Sequence, residues 1–492
     1  MNIPKILVEK YQSCNRDEER ILQVISVIAQ PKSITEIKSV LLKLNWKTSE
    51  GSGSKLLSEL LNTKLRERWV SDGLIIFKKN NLHCNSNIAE LITRKTVKEG
   101  NFSEILSAVE MVFPEPEPNK SSSFSYRYEA DELAQKRIIR KAFYQNDEET
   151  ILQQLEISND SDLHSLITDS DLHSLGINKF GYLIQLGTVP FNPEFFETVA
   201  DALKVIIVCP LLQDQFYQLN GEQRYYDILE TIYPQTVTKF PRLNCVLAEQ
   251  RLLRGKTDQI EILLVDDNSS MALTLMGWLK FQQSETEAAI GYFESAIKQL
   301  KKETRKRNVV LPDIGGIIYL FALLQQGNKK SYQQMNQQVD VMLRATTSHR
   351  FESTARKLQE LADIQQGEKR FEECFWLNRA TAGFSATAFD ELFHYLILLW
   401  AKGKTNPSKE FIKYNQQALK SGWSWFAWVS DSIITGKIAP STPNDFLDLS
   451  SLFKPAEPWK IALKALREVN NPISDKAEES DAEFRMVWGV HY

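Results

Sequence analysis

The sequence predicts a mainly α fold, a winged helix followed by a tetratricopeptide-like antiparallel helical repeat array. Three observations carry this. Apolar residues recur at helical spacing along most of the chain. One stretch near the amino end, between Trp69 and Cys84, breaks instead into short apolar runs separated by turn-forming pairs. Further on, Gly277, Ala289, Phe293 and Ala296 occupy positions where two packed helices need small residues and one aromatic.

In chain order, Asn15 or Asp17 is placed to cap a first helix bearing Ile21, Leu22, Val24, Ile25 and Ile28, and Pro31 ends it. Ser33 or Thr35 opens a second helix with Ile37, Val40, Leu41 and Leu44. The loop Gly51-Ser52-Gly53-Ser54 precedes a third, with Leu56, Leu57, Leu60, Leu61 and Leu65 on one side. Trp69-Val70, Leu74-Ile75-Ile76-Phe77 and Leu82-His83-Cys84 then read as wing strands, divided by Asp72-Gly73 and Asn80-Asn81. In such a domain the third helix commonly enters the major groove. Here it offers Lys55, Lys64, Arg66 and Arg68, and the wing offers Lys78 and Lys79. Protein docking or a structural role fits the same residues, because Lys and Arg on a helix face are usually there for solvation.

The predicted boundaries are 1–112 for the winged helix, 113–192 for a linker and connecting helices, 193–470 for the array, and 471–492 for a tail with a terminal strand. The run Pro114-Glu115-Pro116-Glu117-Pro118 reads as extended linker. A tandem duplication follows, Ser161–Leu166 and Ser170–Leu175, each copy with a histidine. Helix caps explain it better than metal binding, since no Cys lies nearby. The clearest repeat spans Leu273 to Ala296, turning at Gln282–Glu285. Weaker pairs appear around 247–264, 317–343, 355–380 and 393–419. One pair cannot bury its own apolar face, so a stack is expected.

Composition is ordinary, 42% hydrophobic and 25% charged over 492 residues. No run reaches the roughly eighteen apolar residues of a membrane span, and the start shows no signal peptide, so no membrane partner is expected. The five cysteines lie far apart without a C-x-x-C pair, which predicts a reducing cytoplasm. The net charge of −4 hides a basic amino-terminal region: Lys32 to Glu99 holds thirteen Lys/Arg against seven Asp/Glu.

No catalytic set or cofactor is predicted. Gly51–Lys55 resembles a phosphate loop in composition only. Ile262–Asn268 looks like the acidic opening of a receiver domain or a Walker B strand. It is followed by a helix pair rather than alternating strands, so Asp267 or Asn268 reads as a helix cap. The six histidines form no H-E-x-x-H, and no G-x-S-x-G occurs. The cluster Trp423, Trp425, Phe426 and Trp428 reads as core packing before it reads as a stacking platform. The basic run Lys301, Lys302, Arg305, Lys306 and Arg307 reads as a solvated helix end.

The stretch Arg305 to Leu320, with Ala322-Leu323-Leu324 after it, joins that basic run to an apolar turn containing Pro312, Gly315 and Gly316. It resembles a segment of the long amino-terminal region of large bacterial Swi/Snf-type DEAD/DEAH-box helicases. Glu483–Trp488 is similar to the strand opening a hairpin just before their ATPase core. The resemblance runs from about Cys245 to the carboxyl end. It implies a non-catalytic DNA- or protein-binding region, with the nucleotide site carboxyl-terminal to it and no ATPase residue in this chain. The expected partners are DNA and either a protein or that ATPase core. A terminal strand at Tyr492 would leave an unpaired edge, which points to truncation or a partner chain. A stand-alone winged-helix regulator and a scaffold subunit without nucleic acid are the competing expectations.

Overall fold

The computed structural model describes residues 5–44, 63–114, 124–155, 179–218, 222–283, 285–344, 352–370, 373–378, 391–392, 394–395, 406–423 and 434. The described part is mainly helical, and the chain divides into two compact units, Met1–Ile207 and Val208–Tyr492.

The first unit begins with α1 (Lys5–Gln12) and α2 (Arg16–Ile28). Asn15 caps α2 by accepting the Glu18 amide, and Asp17, Glu18 and Glu19 set negative charge at the positive end of the helix dipole. The helix ends on Ala29, in the left-handed region at φ 56°. A Cβ is disfavoured there by about 1–2 kcal/mol. Ala29→Gly removes that strain but gives the unfolded chain more freedom. The expected net is a gain of about 0.5–1 kcal/mol, read as a higher urea midpoint.

A two-residue strand, β1 (Lys32–Ser33), leads into α3 (Ile34–Lys43). Ser33 and Glu36 form a reciprocal capping box: the hydroxyl accepts the Glu36 amide, and the carboxylate accepts the Ser33 amide at 2.7 Å. The Ser33 bonds hold the Glu36 carboxyl below its ordinary value. A depressed carboxyl stabilises at neutral pH, and that contribution fades as pH falls through the carboxylate range. Ser33→Ala is therefore expected to cost about 1 kcal/mol at pH 7 and less in acid, measured by denaturation at both pH values.

α4 (Thr63–Ser71) leads to the hairpin β2 (Ile75–Lys78) and β3 (Asn81–Cys84). The antiparallel sheet has the order β1-β3-β2, with Lys32 opposite Leu82 and Lys78 opposite Asn81. Two details differ from the sequence reading. Trp69-Val70 is helical, because Trp69 is a fully buried residue of α4; the third strand is Lys32–Ser33. The hairpin turns at Lys79-Asn80, both at positive φ (51° and 62°), one residue before the expected pair. That is the backbone a two-residue hairpin needs to match strand twist. Leu56–Leu61 lie outside the described residues.

α5 (Ser86–Lys98) and α6 (Phe102–Val112) close a core around α2, with Ile21, Leu22, Val24, Ile37, Val40, Leu41, Ile88, Ile92 and Ile105 buried. After them come α7 (Phe124–Gln145), α8 (Glu148–Gln154), α9 (Lys179–Thr188), α10 (Pro193–Thr198) and α11 (Asp201–Gln218). The unit division falls inside α11.

In the second unit α12 (Gln223–Thr236), α13 (Leu243–Leu253) and the short α14 (Ile260–Leu264) precede α15 (Ser270–Gln282) and α16 (Thr286–Thr304). α17 (Asp313–Gln326), α18 (Lys329–Arg344), α19 (Glu352–Gln365), α20 (Phe375–Asn378) and α21 (Lys409–Lys420) follow. One continuous core joins α13 to α21. α17 packs on α15, α16, α18 and α19 and buries nine side chains from Ile314 to Leu324. Gly316 lets the segment entering α17 fold tightly against the helix: a Cβ there would lie 2.4 Å from the Leu311 carbonyl oxygen, a backbone atom. Gly316→Ala gains about 1 kcal/mol of helix propensity and meets overpacking of about 2–3 kcal/mol. A net loss of about 1–2 kcal/mol in thermal denaturation is expected.

Candidate nucleic-acid interface

α4 and the β2–β3 hairpin bring most of the candidate cations together. Lys64, Lys78 and Lys79 are exposed. Arg66 sits with its guanidinium 5.2 Å from the Phe77 ring centroid and donates to Thr63 Oγ1 at 3.1 Å, so one side chain ties helix to hairpin. Lys79 projects from the hairpin turn itself. Arg68 differs, because its guanidinium is held by Glu18 on α2 and so joins α4 to α2. Lys55 lies outside the described residues.

Three apolar side chains share this region and were not anticipated as surface. Val70 is 45% exposed, Ile76 41% and Phe77 37%. A signal was available: strand side chains alternate, so three successive apolar residues, Ile75-Ile76-Phe77, cannot all face a core. Ile75 is buried and the next two are not.

Sequence reasoning also missed two buried arginines. Arg140 on α7 donates to the Ser26 carbonyl at 3.0 Å, the Val27 carbonyl at 3.3 Å and Thr93 Oγ1 at 2.6 Å, and pairs with Glu90 at 3.2 Å. Tyr144 donates its hydroxyl to the same carboxylate. Burial opposes the Arg140 charge, yet Glu90 together with Tyr144 and Tyr182 more than offsets it and holds the pKa above its ordinary value. Arg94 on α5 donates to the Leu186 carbonyl in the last turn of α9 and to the Pro190 carbonyl just beyond it. Polar residues inside apolar helical stretches, Ile138-Ile139-Arg140 and Ile92-Thr93-Arg94, were the only trace of these ties in the sequence.

Within the second unit, Gly277 faces the Phe293 ring, where an added Cβ would approach to 2.8 Å. Phe293, Ala289 and Ala296 are fully buried, and the Phe293 ring packs tilted against Tyr319 of α17, with centroids 5.2 Å apart. The acidic pair at Asp266-Asp267 precedes α15, but the cap is Ser269, which accepts the Ala272 amide. Asp267 supports the cap by accepting the Ser269 amide at 2.8 Å and the Cys245 thiol at 3.3 Å. Its side chain reaches a helix start two residues downstream, which replaces the expected cap at Asp267 or Asn268. Lys301 and Lys302 close α16, and Arg305 ends it in the left-handed region, all exposed.

Trp423 is buried; Trp425, Phe426 and Trp428, both duplicated histidines and Glu483–Trp488 lie outside the described residues. Burial pushes the thiols of Cys84, Cys209 and Cys374 up to about 12. No cluster of three metal-ligating side chains occurs among the described residues, and no described helix is long and apolar enough to cross a membrane. No family model, curated protein or solved structure matches the chain.

Proposed function

We propose that the chain is a non-catalytic binding scaffold whose first unit contains a winged helix that meets duplex DNA. The second unit is read as a tetratricopeptide-like array that holds a protein partner. The observation that carries the DNA reading is the joint presentation of Lys64, Arg66, Lys78 and Lys79 by α4 and the hairpin tip, with Arg66 linking the two through Phe77. The element order supports the winged-helix reading: α2, β1, α3, α4, then a hairpin whose inner strand pairs with β1. Such a face would bind mainly phosphates and set register without reading sequence. The array reading draws on the tight α15–α16 contact at Gly277 and Phe293. The wider setting, the amino-terminal region of a Swi/Snf-type helicase, draws only on the resemblance of Arg305–Leu324 and Glu483–Trp488.

A salt series on a short duplex tests this. Binding that falls steeply with salt, with a log–log slope of about −3 to −4, is the expected result for roughly four phosphate contacts. No binding at low salt would defeat the DNA reading. The exposed Val70, Ile76 and Phe77 favour a second reading, protein docking on the same face.

A further inference from the structure

Among the described residues, β2 is an edge strand: in the order β1-β3-β2 it pairs with β3 alone. Its side chains alternate, so Ile76 and Lys78 share one side while Phe77 follows Ile75 on the other. Ile75 is buried, and so is Leu82, the residue opposite Phe77 on β3. Phe77 itself stays exposed, with the Arg66 guanidinium over its ring. Arg66 and Val70 lie four residues apart, which puts exposed Val70 on the same side of α4. Three apolar side chains therefore reach water within a setting of cations, Lys64, Arg66, Lys78 and Lys79.

The cations attract a polyanion, but a phosphate gives an apolar side chain nothing to bury against. Along the interior of a duplex the base faces are stacked on one another and hidden. Reaching them there requires an apolar wedge to force a step open against the stacking energy. At a duplex end or a fork, the last base pair already presents its face. A flat apolar surface bordered by phosphates is the complement of an aromatic ring bordered by lysines. Protein interfaces fit this face less well, because lysine is depleted at their cores.

We propose that this face binds preferentially at duplex ends and forks, with Phe77 stacked on the exposed terminal base pair. The Arg66 guanidinium backs one face of the ring, and the base pair takes the other. Lys64, Lys78 and Lys79 meet the flanking phosphates, and Lys79 does so from the hairpin turn. The inference rests on the DNA reading above and adds to it the structure of the DNA.

The test is a competition titration of the whole chain at low salt. A fluorescein-labelled short forked duplex is displaced by the same fork without label, or by relaxed, covalently closed circular DNA, which has no ends. Compared per phosphate, the fork is expected to compete about tenfold more strongly, in keeping with one stacked base. Phe77→Ala should abolish that preference and leave competition by the circle within about twofold, the slackening of one exposed contact. Phe77→Tyr keeps a ring and should keep the preference. Because the circle reads phosphate contact alone, its unchanged competition shows that Phe77→Ala is folded. Equal competition by fork and circle would overturn the proposal and leave the phosphate reading standing. So would a preference that survives Phe77→Ala; in both cases the apolar side chains revert to protein docking. Binding to neither DNA would overturn the proposal together with the reading beneath it.

Discussion

Replacing Arg140 by methionine is expected to lower the stability of the first unit by about 3–5 kcal/mol. The side chain is nearly the right length and apolar, so volume is roughly kept and the effect is electrostatic. Glu90, with a side chain only 17% exposed, loses its ion-pair partner and keeps the Tyr144 hydroxyl. The Ser26 and Val27 carbonyls at the end of α2 lose their donor, and Thr93 loses a third contact. Each buried acceptor left unsatisfied costs about 1–3 kcal/mol. Chemical denaturation followed by backbone circular dichroism measures the loss. The double variant Glu90→Gln/Arg140→Met should recover part of it, because the uncompensated charge is gone; no recovery would mean that packing dominates.

The second large effect concerns the basic face. Changing Lys64, Arg66, Lys78 and Lys79 together to Ala should flatten the log–log salt dependence of DNA binding by about 3–4 units. At low salt, affinity should fall by about a hundredfold to a thousandfold, near 1 kcal/mol for each exposed contact. Arg68 is left in place because Glu18 holds it, and removing it would disturb the joint between α4 and α2. Phe77→Ala separates the two readings of this face. Phosphate contact alone would survive it apart from the slackening of Arg66, whereas a protein docked on Val70, Ile76 and Phe77 would lose an anchor. An unchanged salt slope in the quadruple variant would remove these four residues from any DNA contact.

Much of the local structure was legible along the chain. The helices of the first unit begin at Asn15 and Ser33 because short polar side chains satisfy free amides at a helix start. Periodicity marked the helical faces of α2, α3 and α16, and glycine beside an aromatic marked the α15–α16 contact. Turn chemistry was less decisive. Asn80 belongs to the hairpin turn, yet its partner is Lys79, a residue without a turn preference, and strand register made that choice. Trp69 looked like the start of a strand, and burial against the helical core held it in α4.

The sequence by itself determined the mainly helical character, the caps at Asn15 and Ser33 and the concentration of positive charge before Glu99, since these depend on residues within a few positions of each other. Tertiary structure alone decided which cations are available. Arg68 meets Glu18 across 50 positions and Arg140 meets Glu90 across 50, while Lys64, Lys78 and Lys79 stay exposed. It also decided that α17 lies at the centre of the second unit. A cation's role depends on the groups the fold sets within a few ångströms of it, and that neighbourhood is assembled from distant segments that local spacing does not encode.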